Sequence, residues 1–294
     1  MGAVVLVHGI WNEEPGMSPE EAAREKAADA AKRLREGLDA ARLPHLAVPP
    51  LVMAYYAHQL TDGHRPDAQS SEDDGLDGLS PGQAAEALEW LRAAGAEDPE
   101  DSQAAFLAPV RWALGRLVAQ RARNASPGAR QQLTELLSRL VVATVRDLDA
   151  YTSRPGRRRL VRETVATAIR DSGARVVVAH SLGSVVAYET LHAHPDLEVD
   201  LLLTLGSPLG LPAMLRKLEP EPVDLRGARP PGVRHWVNIA DVGDLVAVPP
   251  RLGDAFPVDL HHTTDIGLFD PHTLGGYLSD GLTAAALASR LDGS

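Results

Sequence analysis

Ser181 sits in the run Val176-Val177-Val178-Ala179-His180-Ser181-Leu182-Gly183-Ser184, between a stretch of branched apolar residues and a helical pattern over residues 185–189. A serine hydroxyl is a poor nucleophile until it is lifted onto a tight turn within reach of a base. A buried strand, a turn with small residues flanking the serine, and a helix start do this in that order, because the turn is too crowded for larger side chains. The helix start also brings positive dipole ends to the place where negative charge would develop, and makes the N–H of Leu182 a candidate oxyanion donor. The less specific reading is a Ser–Gly turn that merely opens an ordinary helix.

The turn resembles the nucleophile turn of the α/β-hydrolase family, in particular its bacterial lipase and esterase branch, with Ala179 where the usual Gly-x-Ser-x-Gly has its first glycine. A second stretch, Val4-Val5-Leu6-Val7-His8-Gly9-Ile10-Trp11, is similar to that family's oxyanion loop, where a glycine after the strand lets the next N–H groups face an acyl oxygen. Ile10 and Trp11 are then the expected donors beside Leu182. His8 reads as a structural histidine satisfied by backbone, not as a base. The resemblance also implies the order serine, acid, histidine, each on a loop after successive strands. Two aspartates, Asp241 and Asp244, follow the predicted strand over residues 233–239. Asp244 opens Asp244-Leu245-Val246, similar to the Asp-x-Val pattern of small bacterial lipases, and is preferred. Asp241 is the alternative acid, or a turn cap bonded to its own backbone. His272, with Tyr277 five residues on and a helical pattern following, stands where the family's base is found.

The implied chemistry is acyl transfer to water. Ser181, activated by His272 and oriented through Asp244, would cleave a carboxylic ester or related acyl bond of a small apolar substrate by way of an acyl-enzyme. A serine peptidase, an acyltransferase or thioesterase, and a non-catalytic binding scaffold of the same fold are the alternatives.

Other reactive-looking residues read as ordinary. Ser207, in Gly206-Ser207-Pro208, lacks the paired small residues and, because Pro208 intervenes, a helix start directly after it, and is taken as part of a loop shaping the pocket wall, with Leu209 expected to line the acyl pocket. Arg157, Arg158 and Arg159 read as a solvated first helical turn, and His192 and His194 as residues suited to a helix C-terminus. His261 and His262 are adjacent, and on a strand they would point to opposite faces, so no metal site is expected. There is no cysteine, which excludes disulfides, thiolate metal sites and a cysteine nucleophile. No Gly-rich phosphate loop or dinucleotide fingerprint is present, so no cofactor is expected.

These residues need a scaffold, and the chain supplies the pattern of one. Apolar runs over residues 3–7, 175–179, 201–205 and 233–239 read as strands buried on both faces, with a fifth at 51–56 and a weaker sixth at 256–261. Helical patterns at 19–36, 156–171, 184–192 and within 272–291 alternate with them. Ser18 is placed as an N-cap with Glu21 three residues on, and Gly173 suits a C-terminal stop. The expectation is an α/β chain over residues 1–294, and by resemblance an α/β-hydrolase fold with a mainly parallel, doubly wound sheet reduced to about six strands. Residues 57–151 break the rhythm. They hold an Asp-, Ser- and Gly-rich stretch at 61–82, read as an exposed loop, and helical patterns at 83–94, 101–123 and 129–147, together read as a helical cap insertion.

The net charge of −11, from 40 acidic against 29 basic residues, disfavours nucleic acid and anionic lipid as partners. The apolar N-terminus lacks a charged n-region, and no stretch approaches the ~20 apolar residues of a membrane span. No integral membrane association and a cytoplasmic location are therefore expected. Composition and spacing carry no signal for oligomeric state.

Overall fold

Short runs of branched residues that are apolar on both faces are satisfied only between two other layers, and that is where they lie. The computed structural model describes residues 2–10, 12–60, 75–97, 106–249, 251–267 and 272–291. Six strands, β1 (Val4–Val7), β2 (Leu51–Ala54), β3 (Val176–His180), β4 (Val199–Leu205), β5 (Val233–Asp241) and β6 (Leu260–Thr264), form one sheet in the order β2-β1-β3-β4-β5-β6. Every neighbouring pair is parallel. Every residue of β1 and β3 is buried. Their side chains alternate between faces: Val4, Leu6, Val176 and Val178 join one apolar cluster, while Val5, Val7, Val177 and Ala179 join the other.

Ten helices accompany the sheet among the described residues: α1 (Pro19–Ala40), α2 (Ala57–Leu60), α3 (Pro81–Ala93), α4 (Ala108–Arg121), α5 (Pro127–Thr152), α6 (Pro155–Ser172), α7 (Leu182–Ala193), α8 (Pro212–Leu215), α9 (Leu274–Ser279) and α10 (Gly281–Leu291). Helix α1 opens with the expected capping box between Ser18 and Glu21 and runs four residues past the predicted end. Helix α6 stops at Gly173 in the left-handed region, φ 63°. The clusters on the two faces are unequal. Helices α1, α9 and α10 cover one face with residues such as Leu34, Leu38, Tyr277 and Leu287. The other cluster runs without a break from the sheet through α6 and α7 into Trp90, Leu114, Leu117, Leu133 and Leu137 of α3, α4 and α5. None of the described residues between β2 and α6 is in a strand, and none of the described helices is long and apolar enough to cross a membrane.

The sheet reverses its direction of growth once. From β1 the chain steps outward to β2, then returns to place β3 on the other side of β1 and proceeds to β6. Ligands of open α/β sheets commonly bind at the C-terminal ends of the strands where the order reverses, here β1 and β3. Gly9 and Ser181 follow those two strand ends.

Four local readings are corrected. The sixth strand is at Leu260–Thr264, not 256–261. Phe256 supplied the apolar signal, but its ring packs on Tyr188 and Trp236, while β6 is an edge strand whose only buried residue is Thr264. The stretch 61–82 is not simply an exposed loop: residues 61–74 lie outside the described residues, while Leu76 and Leu79 are buried around a 3-10 turn at Leu76–Gly78. The predicted helix at 101–123 is observed as α4, with residues 101–105 outside the described set. Arg158 is not solvated. It is buried and forms an ion pair with Glu189, which is fully buried on α7.

Candidate active site

The turn after β3 is strained at the serine of the strand–helix junction. Ser181 has φ 54° and ψ −130°, a region that costs a non-glycine residue on the order of 1–3 kcal/mol. Neighbouring groups hold it there. The N–H of Ser181 donates to the Leu205 carbonyl at 3.0 Å. The hydroxyl of Ser184, one turn into α7, donates to the Ser181 carbonyl at 2.6 Å and meets the Ser207 hydroxyl at 2.7 Å. Ser207 also accepts from Leu209 N–H and caps a 3-10 turn that begins at Pro208, so a short helical turn does follow it. Leu209 is wholly buried in the large cluster. The small residues of the turn are explained by contact: a Cβ on Gly183 would collide with the carbonyls of Val7 and His8, and one on Gly9 would stand 2.5 Å from Ser181 Cβ. Ala179 lies inside β3, buried beside Val7, where a methyl group fits.

The loop after β1 is fixed by side chains. His8 donates from Nδ1 to the Gly9 carbonyl at 2.9 Å and accepts the Tyr56 N–H at Nε2, 3.0 Å. Burial pushes its pKa down to about 4, so it is neutral and structural, as the sequence reading had it. Asn12 donates from its amide to the Gly9 carbonyl at 3.1 Å and the Ile10 carbonyl at 2.6 Å. Ile10 is buried. Holding the Gly9 carbonyl limits rotation of the peptide whose N–H belongs to Ile10. Trp11 lies outside the described residues. Leu182 is the first residue of α7, so its N–H has no carbonyl partner within the helix.

His272 closes the constellation. Its Nε2 is 2.7 Å from Ser181 Oγ and its Nδ1 is 2.8 Å from Asp244 Oδ2. With Nδ1–H given to the carboxylate, Nε2 is left as acceptor for the serine hydroxyl. Asp244 is saturated: Oδ1 accepts the N–H of Val246 at 2.8 Å, and Oδ2 also accepts the Tyr277 hydroxyl at 2.8 Å. Asp241, the alternative acid, points elsewhere. Its Oδ1 accepts the Gly243 N–H and its Oδ2 the Ile266 N–H, both at 2.6 Å, so it caps the turn and ties β6 to it. Burial raises its pKa against those two donors. All three side chains of the Ser181–His272–Asp244 chain are buried.

Sequence reasoning missed several supports. Tyr277 bridges the two aspartates, accepting Asp241 N–H at 2.8 Å while donating to Asp244. Burial and the Asp244 charge raise its pKa far above the phenol range, so it remains a donor. Gly206, at φ 54°, presses on the pair: a Cβ there would stand 2.7 Å from Asp244 Oδ2 and 3.2 Å from His272 Nδ1. The ring of His180 packs 4.8 Å from that of His272, and burial holds its pKa well below the histidine range. From the helical segment, Trp90 Nε1 donates to the Leu245 carbonyl and Arg121 to the Gly243 carbonyl. The spacing of Tyr277 and the strand-end position of Gly206 were visible signals; the two long-range donors had none.

Among the described residues no group of three or more histidine and carboxylate side chains could hold a metal ion. His261 bonds Asn238 at 3.0 Å, on a different network from the serine. Comparison with models of known protein families, with curated proteins and with solved structures finds no match to this chain.

Proposed function

We propose that the chain is a serine hydrolase of the α/β-hydrolase type, cleaving a carboxylic ester or related acyl bond through Ser181, His272 and Asp244. The observation that carries this reading is the unbroken hydrogen-bonded path from Ser181 Oγ through His272 to Asp244, at 2.7 and 2.8 Å, on a strained strand–helix turn. It is supported by the site's place at the reversal between β1 and β3, where open α/β sheets bind ligands.

The chemistry follows from the arrangement. Ser181 attacks the acyl carbon while His272 Nε2 takes its proton, and Asp244 holds the imidazolium that forms. The oxyanion is received by the N–H of Leu182 and that of Ile10 or Trp11. His272 then returns the proton to the leaving group, and water repeats the sequence on the acyl-enzyme. An ester is the preferred substrate because it needs least help with its leaving group.

The test is hydrolysis of p-nitrophenyl esters of graded chain length by the wild-type protein and by Ser181→Ala. Turnover that falls by at least about 10⁴-fold in the variant supports the reading. Peptide-amide cleavage without ester cleavage would replace esterase by peptidase, and transfer to an added alcohol or amine in preference to water would indicate an acyltransferase. Equal rates for both proteins would remove Ser181 from the chemistry.

A further inference from the structure

Asp244 is bracketed from outside its own loop. The carbonyl before it, Gly243, accepts from Arg121 near the end of α4, and the carbonyl after it, Leu245, accepts from Trp90 near the end of α3. These two donors come from the helical segment between β2 and α6, 122 and 155 residues away in sequence. Fixing both flanking peptides leaves the aspartate little freedom to turn away from His272. The segment is itself tethered: Glu89 and Glu86 of α3 pair with Arg216 and Lys217 at 2.6 and 2.5 Å. Tyr151 of α5 donates to Glu189 of α7 at 2.6 Å.

Resting on the hydrolase reading, we propose that Arg121 is a positioning residue for the acid. It holds the Gly243 peptide, and its charge offsets part of the Asp244 charge that His272 experiences. On this view the helical segment builds the triad as well as flanking it. Arg121 has no carboxylate within ion-pair distance among the described residues, yet the carboxylates of Asp244 and Asp241 act on it against the burial that lowers its pKa.

The groups around His272 set the sign. Asp244 faces Nδ1, with Tyr277 of α9 donating to the same carboxylate oxygen; the neutral His180 ring of β3 and the Ser181 hydroxyl face it from the sheet. Asp241 is turned to backbone donors, and Arg33 of α1, beside Gly275, pairs with Glu36. Removing the Arg121 cation leaves Asp244 and Asp241 less compensated. The acidic limb of the Ser181 labelling rate is then expected to move up in pH.

The test is the pH dependence of the rate at which a fluorophosphonate labels Ser181, in the full chain and in Arg121→Gln, Arg121→Lys and Trp90→Phe, each checked by thermal melting. Arg121→Gln is expected to label about tenfold more slowly, with the acidic limb moved up by roughly half a unit. Arg121→Lys returns the limb to the wild-type position. Trp90→Phe, which loses only a neutral donor, slows labelling without moving the limb. A folded Arg121→Gln with an unmoved limb overturns the proposal whatever its rate, while wild-type labelling leaves the hydrolase reading standing. If the glutamine variant does not fold, the lysine variant decides: labelling within about twofold of wild type with the limb in place supports the proposal, and a shifted limb overturns it. No labelling of the wild-type protein removes the hydrolase reading and this inference with it.

Discussion

The Ser181 side and the Asp244–His272 side of the site are built in opposite ways. Around Ser181 the supports are local or come from adjacent strands: Ser184 three residues on, the Leu205 carbonyl from neighbouring β4, and the backbone of β1 against Gly183. Around Asp244, beyond the Val246 N–H two residues on, they are remote: Tyr277 33 residues away, His272 28 residues away, and Arg121 and Trp90 from the helical segment. A turn fixed by its own strand and helix is stable as soon as the sheet forms. A loop fixed by four distant groups is only as ordered as all of them together, so small changes far from the serine should damage the chemistry without unfolding the sheet.

The comparison breaks hardest at the two aspartates. Asp244→Asn should reduce hydrolysis by roughly 10⁴-fold, through the wrong histidine tautomer, with a stability loss of about 1–3 kcal/mol because the amide keeps only one accepting atom. Asp241→Asn should lower stability by about 1–3 kcal/mol, by weakening a buried acceptor for two N–H groups, and leave the rate within about tenfold. Ester kinetics and urea melts on both variants separate the roles, and the reverse pattern would make Asp241 the acid. Gly206→Ala comes next. Its methyl would displace Asp244 and His272, so kcat should fall about 10²-fold with KM little changed. Unaltered kcat would show that the pair has slack. Tyr277→Phe removes one donor to Asp244 and one acceptor for Asp241 N–H, and an approximately tenfold loss of kcat with about 1–2 kcal/mol of stability is expected from steady-state kinetics and melting.

The smallest effect belongs to the Ser181 side and concerns pH. His8 is buried neutral with its pKa depressed to about 4, whereas in the unfolded chain it titrates near 6.5. The unfolded state therefore takes up the proton first as pH falls. Stability present above about 6.5 is lost progressively down to about 4, amounting to roughly 2 kcal/mol between pH 7 and pH 5. His180, depressed in the same direction, adds to this loss. Urea midpoints at the two pH values measure it, and a midpoint unchanged at pH 5 would contradict the buried neutral state.

How far each side was legible in the sequence follows the same division. Continuous branched runs announced β1, β3 and β4, and the Ala-x-Ser-x-Gly turn announced its own geometry, because those structures depend on neighbours in the chain. The edge strand was misplaced because Phe256 is apolar for a different reason, to fill space beside Trp236. Arg158 looked solvated because its partner, Glu189, is 31 residues away. Two aspartates three residues apart, one ending β5 and one in the loop after it, carry no local mark of which one faces a histidine; Gly206, Tyr277, Arg121 and Trp90 settle that in three dimensions. The preference for Asp244 came from a resemblance in pattern; in the structure it is Asp244, not Asp241, that bonds His272.

The central claim is that Ser181 is a nucleophile activated by His272. The most direct measurement is mass spectrometry of the protein after treatment with a fluorophosphonate, with the adduct mapped to a residue. One adduct per chain on Ser181, absent in Ser181→Ala and strongly slowed in His272→Ala, is the predicted result. A folded protein that stays unlabelled, or that labels equally fast without His272, would contradict it.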